Sequence, residues 1–227
     1  MKTSAFFIVS LLYSIFASAQ NLCADNQKLT EKTSFEITAY GTSNTLVAVT
    51  NFNVSSTFNT LSGRKAIIAQ IDKDAPTQEP QNYYSLECAD STLLINNRNI
   101  IPAYVFEEYS NMNFDASASS IAIPKKLDVG QKLSNAAYEI EVEVAPITHR
   151  LHYFLTDRIV TAKETINTPA GTFDCYLIEA KTHMKPRNNN TGSVKQWFVQ
   201  DIGLVKQVDY NVEGAITGIN LLTDLKF

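Results

Sequence analysis

Tyr138-Glu139-Ile140-Glu141-Val142-Glu143-Val144 alternates apolar and acidic residues without a break. Successive side chains of a β-strand point to opposite faces, so this period of two puts Tyr138, Ile140, Val142 and Val144 on one face and the glutamates on the other. That is a half-buried strand of an antiparallel sheet with one wet face. Glutamates spaced by two on such a face read as a solvated surface rather than as an acid/base pair or a cation site.

Outward from this run the same pattern recurs. Strand-like segments are read at Ser34–Tyr40, Thr45–Val54, Lys65–Ile71, Tyr83–Cys88, Thr92–Ile95, Leu151–Thr156, Arg158–Asn167, Thr172–His183, Val194–Val199, Leu204–Asn211 and Ala215–Asp224. Turn signals separate them, among them Gly41-Thr42-Ser43-Asn44, Ser62-Gly63, Pro169-Ala170-Gly171, Asp201-Ile202-Gly203 and Glu213-Gly214. Short turns between short runs make antiparallel neighbours, and no interval holds the repeated long amphipathic helices that a parallel sheet requires. The last three runs read as a meander. In the final one Ala215, Thr217, Ile219, Leu221, Thr223 and Leu225 share a mainly apolar face, which is expected to line the interior.

Two segments interrupt the pattern. Asp72–Gln81, with two prolines and four charged residues, reads as an exposed loop. In Asn99–Ser120, Pro102–Glu108 is suited to one or two helical turns, and the polar tract Asn111–Ser120 follows; the segment is expected to be a surface excursion, or a lid over a cavity. The fold class expected is all-β: a large curved antiparallel sheet, clam-like or a partly open barrel, with at most one or two short helices.

Lys2, the apolar stretch Phe6–Phe16 and Ala17-Ser18-Ala19 form a secretory signal pattern, which makes residues 1–19 a signal peptide and 20–227 a single all-β domain. The apolar stretch is shorter than the roughly 20 residues of a bilayer span, so no membrane span is expected after cleavage. Gln20-Asn21-Leu22 before Cys23 lacks the small residues that lipid attachment would need. The chain is therefore expected to be exported, to the periplasm or the extracellular space. A hydrophobic content of 44% fits a globular chain. A formal charge of −4 with interspersed signs and no basic cluster argues against nucleic acid as a partner.

The cysteines are Cys23, Cys88 and Cys175. In an exporting context the pairing expected is a structural disulfide between Cys23 and Cys88, which would tie the mature N-terminus to the strand Tyr83–Cys88. Cys175 alternates with Phe173 and Leu177 and reads as a buried apolar thiol. His149 and His152 are spaced to fall on opposite faces of a strand, which disfavours joint metal ligation. There is no Gly-x-Ser-x-Gly, no phosphate-cradling glycine loop, and no nucleophile on a constrained turn. Trp197 reads as a core residue, and Gly171 and Gly203 as turn positions with positive φ. No catalytic residue, cofactor site or metal site is read from the sequence.

Pro169-Ala170-Gly171-Thr172-Phe173-Asp174-Cys175, Trp197-Phe198 and Gly203-Leu204-Val205-Lys206 resemble the TapB/DUF3108-like family of exported, Bacteroidetes-type bacterial proteins. Ile123-Pro124 and Leu127-Asp128-Val129-Gly130-Gln131-Lys132-Leu133 look like that family's segment before its central strands. The resemblance implies an envelope location and a curved antiparallel sheet wrapped around a central element, similar to the clam-shaped carriers of lipoproteins and lipids. It transfers no catalytic residue. Two functional readings follow: a non-enzymatic envelope protein that holds an apolar or lipid-like ligand on its concave face, and a structural or protein-interaction module with a fully packed core and an envelope protein as partner.

Overall fold

The computed structural model describes residues 29–61, 63–73, 79–80, 82–89, 92–96, 100–109, 113–115, 120–144, 146–186, 191–200 and 202–227. The signal peptide expected at 1–19, and Cys23 with its expected bond to Cys88, lie outside the described residues.

The elements are β1 (Ser34–Tyr40), β2 (Leu46–Asn59), β3 (Gly63–Asp72), β4 (Asn82–Ala89), β5 (Thr92–Asn96), the helix α1 (Ala103–Glu108), β6 (Asn113–Asp115), β7 (Ile121–Pro124), β8 (Ala136–Val144), β9 (Ile147–Thr168), β10 (Gly171–Lys185), β11 (Thr191–Val199), β12 (Gly203–Asn211) and β13 (Ile216–Lys226). The strands form one 13-stranded sheet in the order β6-β8-β9-β10-β11-β12-β13-β1-β2-β3-β4-β5-β7. Every pairing in it is antiparallel. The all-β curved sheet with one short helix is therefore the fold. Its first and last strands meet in the middle of the sheet, from Ser34 opposite Lys226 to Tyr40 opposite Ile219.

The founding run behaves as its alternation requires. Tyr138, Ile140 and Val142 of β8 are fully buried. On the opposite face Glu139 and Glu141 meet β9 across the ladder, with Arg150 Nε 2.8 Å from Glu141 Oε1 and His152 Nδ1 3.6 Å from Glu139 Oε2. These are exposed cross-strand pairs, which account for the glutamate row without any site.

The segments Leu151–Thr156 and Arg158–Asn167, read as separate runs, are one 22-residue strand, β9. Asp157 between them has φ +52°. The pairing with β10 shifts there, so the buried positions change from Leu151, Tyr153 and Leu155 to Arg158 and Val160. A bulge adds one residue to one strand and turns the following side chains to the other face. Here it turns Arg158 inward.

Residues Ile100–Phe106 are neither a surface excursion nor a lid. Ile100, Ile101 and Ala103 are wholly buried and Val105 and Phe106 nearly so, packed with the side chains of the sheet's inner face. Apolar content decides this: five large or small apolar side chains in seven residues cost too much to leave in water when a curved sheet offers a face to cover. Most of the tract Asn111–Ser120 lies outside the described residues.

The inner face of β13 also differs from expectation. Gly218, Asn220 and Leu222 are buried, while Thr217, Ile219 and Leu221 lie half-buried on the other face and Ala215 is exposed. The ladder with β1 shifts between Leu222 and Asp224, which returns Leu225, opposite the core residue Phe35, to the inner face. Periodicity separated the two faces up to Leu222 but assigned the wrong one inward there, while Leu225, beyond the shift, packs inward as expected. A β-carbon at Gly218 would lie 2.7 Å from that of Ala103, so the smaller side of β13 faces inward to admit α1.

The edges approach one another, and the sheet is nearly closed into a barrel. Side chains span the seam. Tyr138 Oη of β8 donates to the Ile95 carbonyl of β5 at 3.2 Å, and Arg158 Nη1 of β9 donates to the carbonyls of Ala122 in β7 and Ser134, at 3.4 and 2.8 Å. Burial lowers the Arg158 guanidinium to about 10, which leaves it charged at neutral pH.

Candidate functional site

Consecutive hairpins of an antiparallel sheet turn at alternate ends. The connections β1–β2, β10–β11 and β12–β13 share one end, and β9–β10, β11–β12 and β2–β3 share the other. At the first end lies a half-open pocket of about 290 Å³. Thr42 comes from the β1–β2 turn, Thr182 and Thr191 from β10 and β11, and Asn211, Val212, Glu213 and Thr217 from β12, β13 and their turn. Pro102 and Tyr104 of the central segment and Asp209 and Tyr210 of β12 complete the wall.

Asp209 is the chemical centre of this pocket. It is 3% exposed and faces Val194 of β11 and Gly218 of β13 across the ladder. Gln207 Nε2 donates to both of its oxygens, at 3.2 and 3.1 Å, and Tyr153 Oη of β9 donates to Oδ1 at 3.4 Å. Burial pushes the carboxyl up to about 7, against the lowering effect of the Gln207 and Tyr153 hydrogen bonds. Tyr153 is itself raised well above the usual phenol range, first by burial and then by Asp209. Desolvation disfavours the charged form of a carboxyl, and neutral donors offset only part of that cost.

The polar row extends beneath the central segment. Gln196 Nε2 donates to Gln207 Oε1 at 2.8 Å, and Gln207 Nε2 also donates to the Ile100 carbonyl at 3.1 Å. Asn220 Nδ2 donates to the Ile101 carbonyl at 2.9 Å. A non-strand segment inside a sheet has carbonyls that no ladder can satisfy, and these side-chain amides supply the donors.

Sequence reasoning did not single out Gln196, Gln207, Asp209 or Asn220. The signal was present: each stands in the buried phase of its strand, with Val194 and Phe198, with Val205, or with Gly218 and Leu222. A polar residue in the apolar phase of a strand marks an interior polar contact, because burial without a partner is costly.

The residues that were singled out lie elsewhere. Cys88, in β4, is 3% exposed and is not among the free thiols. Cys175 is free and fully buried, and its thiol is pushed up to about 12 by burial, with Asp174 and Glu164 adding to the effect. This makes it the inert buried thiol expected. Trp197 is buried, with Nε1 donating to Glu164 Oε1 and Lys206 Nζ 4.9 Å from its ring centroid. Gly171 and Gly203 have φ of +135° and +102°, as their turns require. His149 and His152 both lie on β9, three residues apart. Among the described residues no group of three or more His, Cys, Asp or Glu side chains is placed to hold a metal ion, and no helix is long and apolar enough to cross a membrane.

The sequence profile of the DUF3108-like family matches residues 30–222. No curated protein matches the chain. Among solved structures, a Bacteroides fragilis protein described as exported and of YmcC-like fold superposes with a TM-score of 0.72 at 17% identity, covering 90% of this chain and 100% of its own. A Parabacteroides distasonis protein described as a lipoprotein gives a TM-score of 0.68 at 19% identity, covering 87% and 96%. Identities this low establish likeness of fold.

Proposed function

The chain belongs to the DUF3108-like family, and from that premise we propose that it is an exported, non-catalytic interaction module of the cell envelope whose core is filled by its own chain. The observation that carries this reading is the burial of Ile100–Phe106 against the concave face. A carrier would keep that face for its cargo; here the protein covers it. Function then resides on the outside. Leu46, Val212 and Ile216 are 64%, 72% and 46% exposed near the turns at the pocket end, where a partner gains by covering them. A photo-crosslinker placed at Val212 in cells of the native host is expected to trap a discrete partner, and one at Tyr83 is not. Equal, diffuse labelling from both positions would overturn the reading.

The apolar-ligand reading has one supporting observation. Side-chain hydrogen bonds from Gln207 and Asn220, rather than a ladder, fasten residues 100 and 101, so this segment can leave the concave face without breaking a strand pairing. Displacement of a fluorescent fatty acid tests it, and no displacement by any lipid class counts against it.

Export rests on the signal pattern at residues 1–19 and on the description of a similar fold as exported; N-terminal sequencing is expected to start at Gln20. The disulfide proposed between Cys23 and Cys88 is supported by the chain's remaining cysteine, Cys175, being free. Mass spectrometry of non-reduced peptides is expected to find the 23–88 link, and a link from Cys88 to Cys175 would remove it.

A further inference from the structure

The pocket over Asp209 has a composition that the interaction reading does not use. Its charged lining residues are Asp209 at the base and Glu213 at the rim, and none of the described lining residues is a lysine, arginine or histidine. Threonines at 42, 182, 191 and 217 add hydroxyl groups around them. Asp209 is buried, yet the donors that reach it are an amide and a phenol. A buried carboxylate is stabilised far more by a positive charge than by neutral donors. At about 290 Å³ the space lies near the lower end of small-molecule sites, which begin at roughly 300 Å³, so an occupant is small.

We propose that this pocket is a binding site for a small primary ammonium compound, whose charged nitrogen pairs with the Asp209 carboxylate while Glu213 and the threonine hydroxyls receive its remaining polar groups. The proposal goes beyond the interaction reading and does not depend on it: the site needs the pocket, not a protein partner.

The pocket's construction favours this assignment. Gly218, opposite Asp209 on β13, lets α1 approach so closely that a β-carbon would meet Ala103 at 2.7 Å, and that approach brings Tyr104 to the pocket wall beside the carboxyl. The titratable groups around Asp209 are Tyr153 of β9, Tyr104 of α1 and Tyr210 of β12, with Glu213 at the rim. β11 presents Gln196 and Val194, and β13 presents Gly218. No described cation competes for the carboxylate. Because only the ionised form pairs with an ammonium group, binding strengthens as pH rises through about 7.

The test uses the full mature chain and a matched pair of probes, putrescine and 1,4-butanediol, alike in length and differing in charge. Putrescine keeps its amines protonated from pH 5 to 8. By ligand-observed NMR at pH 8, putrescine is expected to bind at least about tenfold more tightly than the diol, and at least about tenfold more tightly than it does itself at pH 5. Asp209→Asn is expected to bring putrescine down to the level of the diol. Glu213→Gln, at the exposed rim, is expected to weaken it about two- to threefold. The pH arm needs no variant, so a folding defect in Asp209→Asn leaves a decisive measurement. Equal binding of the two probes, a preference that does not change with pH, or no binding of putrescine up to about 10 mM overturns the proposal.

Discussion

The two ends of the sheet share a turn chemistry, with Gly171 and Gly203 at positive φ at one end and Ser43, Asn44 and Gly214 at the other, and differ in what lies beneath the turns. At one end the β9–β10 turn, Thr168-Pro169-Ala170-Gly171, and the β11–β12 turn hold their shape through backbone geometry, with Gly171 and Gly203 at positive φ and Trp197 packed nearby. At the other end the turns around Thr42, Thr191 and Glu213 frame an opening, and the interior beneath it carries Gln196, Gln207, Asp209 and Asn220. The residues that make the family recognisable lie at the end away from the Asp209 pocket. Turn chemistry leaves a strong mark in sequence because few residues fit it, whereas a polar pocket can be lined by residues of many kinds.

Perturbations at the pocket end are therefore expected to depend on pH and on interior space, and those at the β9–β10 turn on neither. The largest effect is expected from Asp209. Its folded-state carboxyl titrates near 7 and its unfolded one near 3.8, so the folded state holds the extra proton between these values. This group therefore destabilises progressively as pH rises from about 4 to about 7, by up to about 4 kcal/mol, and contributes no pH dependence below that window. Urea unfolding of the wild type against Asp209→Asn across pH 4–8 is expected to show the variant gaining relative stability toward high pH. A constant difference would remove the interior carboxyl from the comparison.

Gly218→Leu comes next. It forces a side chain into the space held by Ala103, and is expected to cost about 3 kcal/mol in the same unfolding measurement, or to expel the central segment and raise binding of a hydrophobic dye. At the turn end Gly171→Ala places a side chain at φ +135° and is expected to cost about 1–2 kcal/mol, with no pH dependence. The smallest effect is expected from Glu164→Gln, which exchanges the charged acceptor of the Trp197 indole for a neutral one on a half-open surface. About 0.5 kcal/mol is expected, read most sensitively as a shift in tryptophan emission.

Most of the sheet was legible, and the reasons differ by strand. Ser34–Tyr40 emerged with its boundaries unchanged, its end marked by the turn signal Gly41-Thr42-Ser43-Asn44. The break read at Asp157 was a true discontinuity of phase, though not of strand: alternation reports which face a residue takes, and a bulge resets that face while the ladder continues. β13 shows the complementary limit. Up to Leu222 its two faces were separable, but the mainly apolar one was not the inner one, since the inner face was selected by the need to fit α1 beside Gly218. The short strands β6 and β7 were not read at all; with three and four residues they are too brief for a period to register. The central segment was read as a helix of about the right extent and placed outside, because sequence pattern reports local shape and not which surface a helix covers. Asp209 was invisible for a related reason: a lone acidic residue among strand residues gains meaning only when Tyr153, fifty-six positions away, comes within reach.

The seam gives the molecule an unusual order of loosening. A ladder parts only when many backbone hydrogen bonds break together, whereas Tyr138 and Arg158 let go of Ile95 and Ala122 one bond at a time. Native-state amide exchange is therefore expected to be fastest in β7 and slowest where β1 and β13 run side by side. Chain ends are ordinarily the first parts of a protein to fray; here the strands nearest them are zipped into the middle of the wall, and the weak point lies at the free margins of the sheet instead.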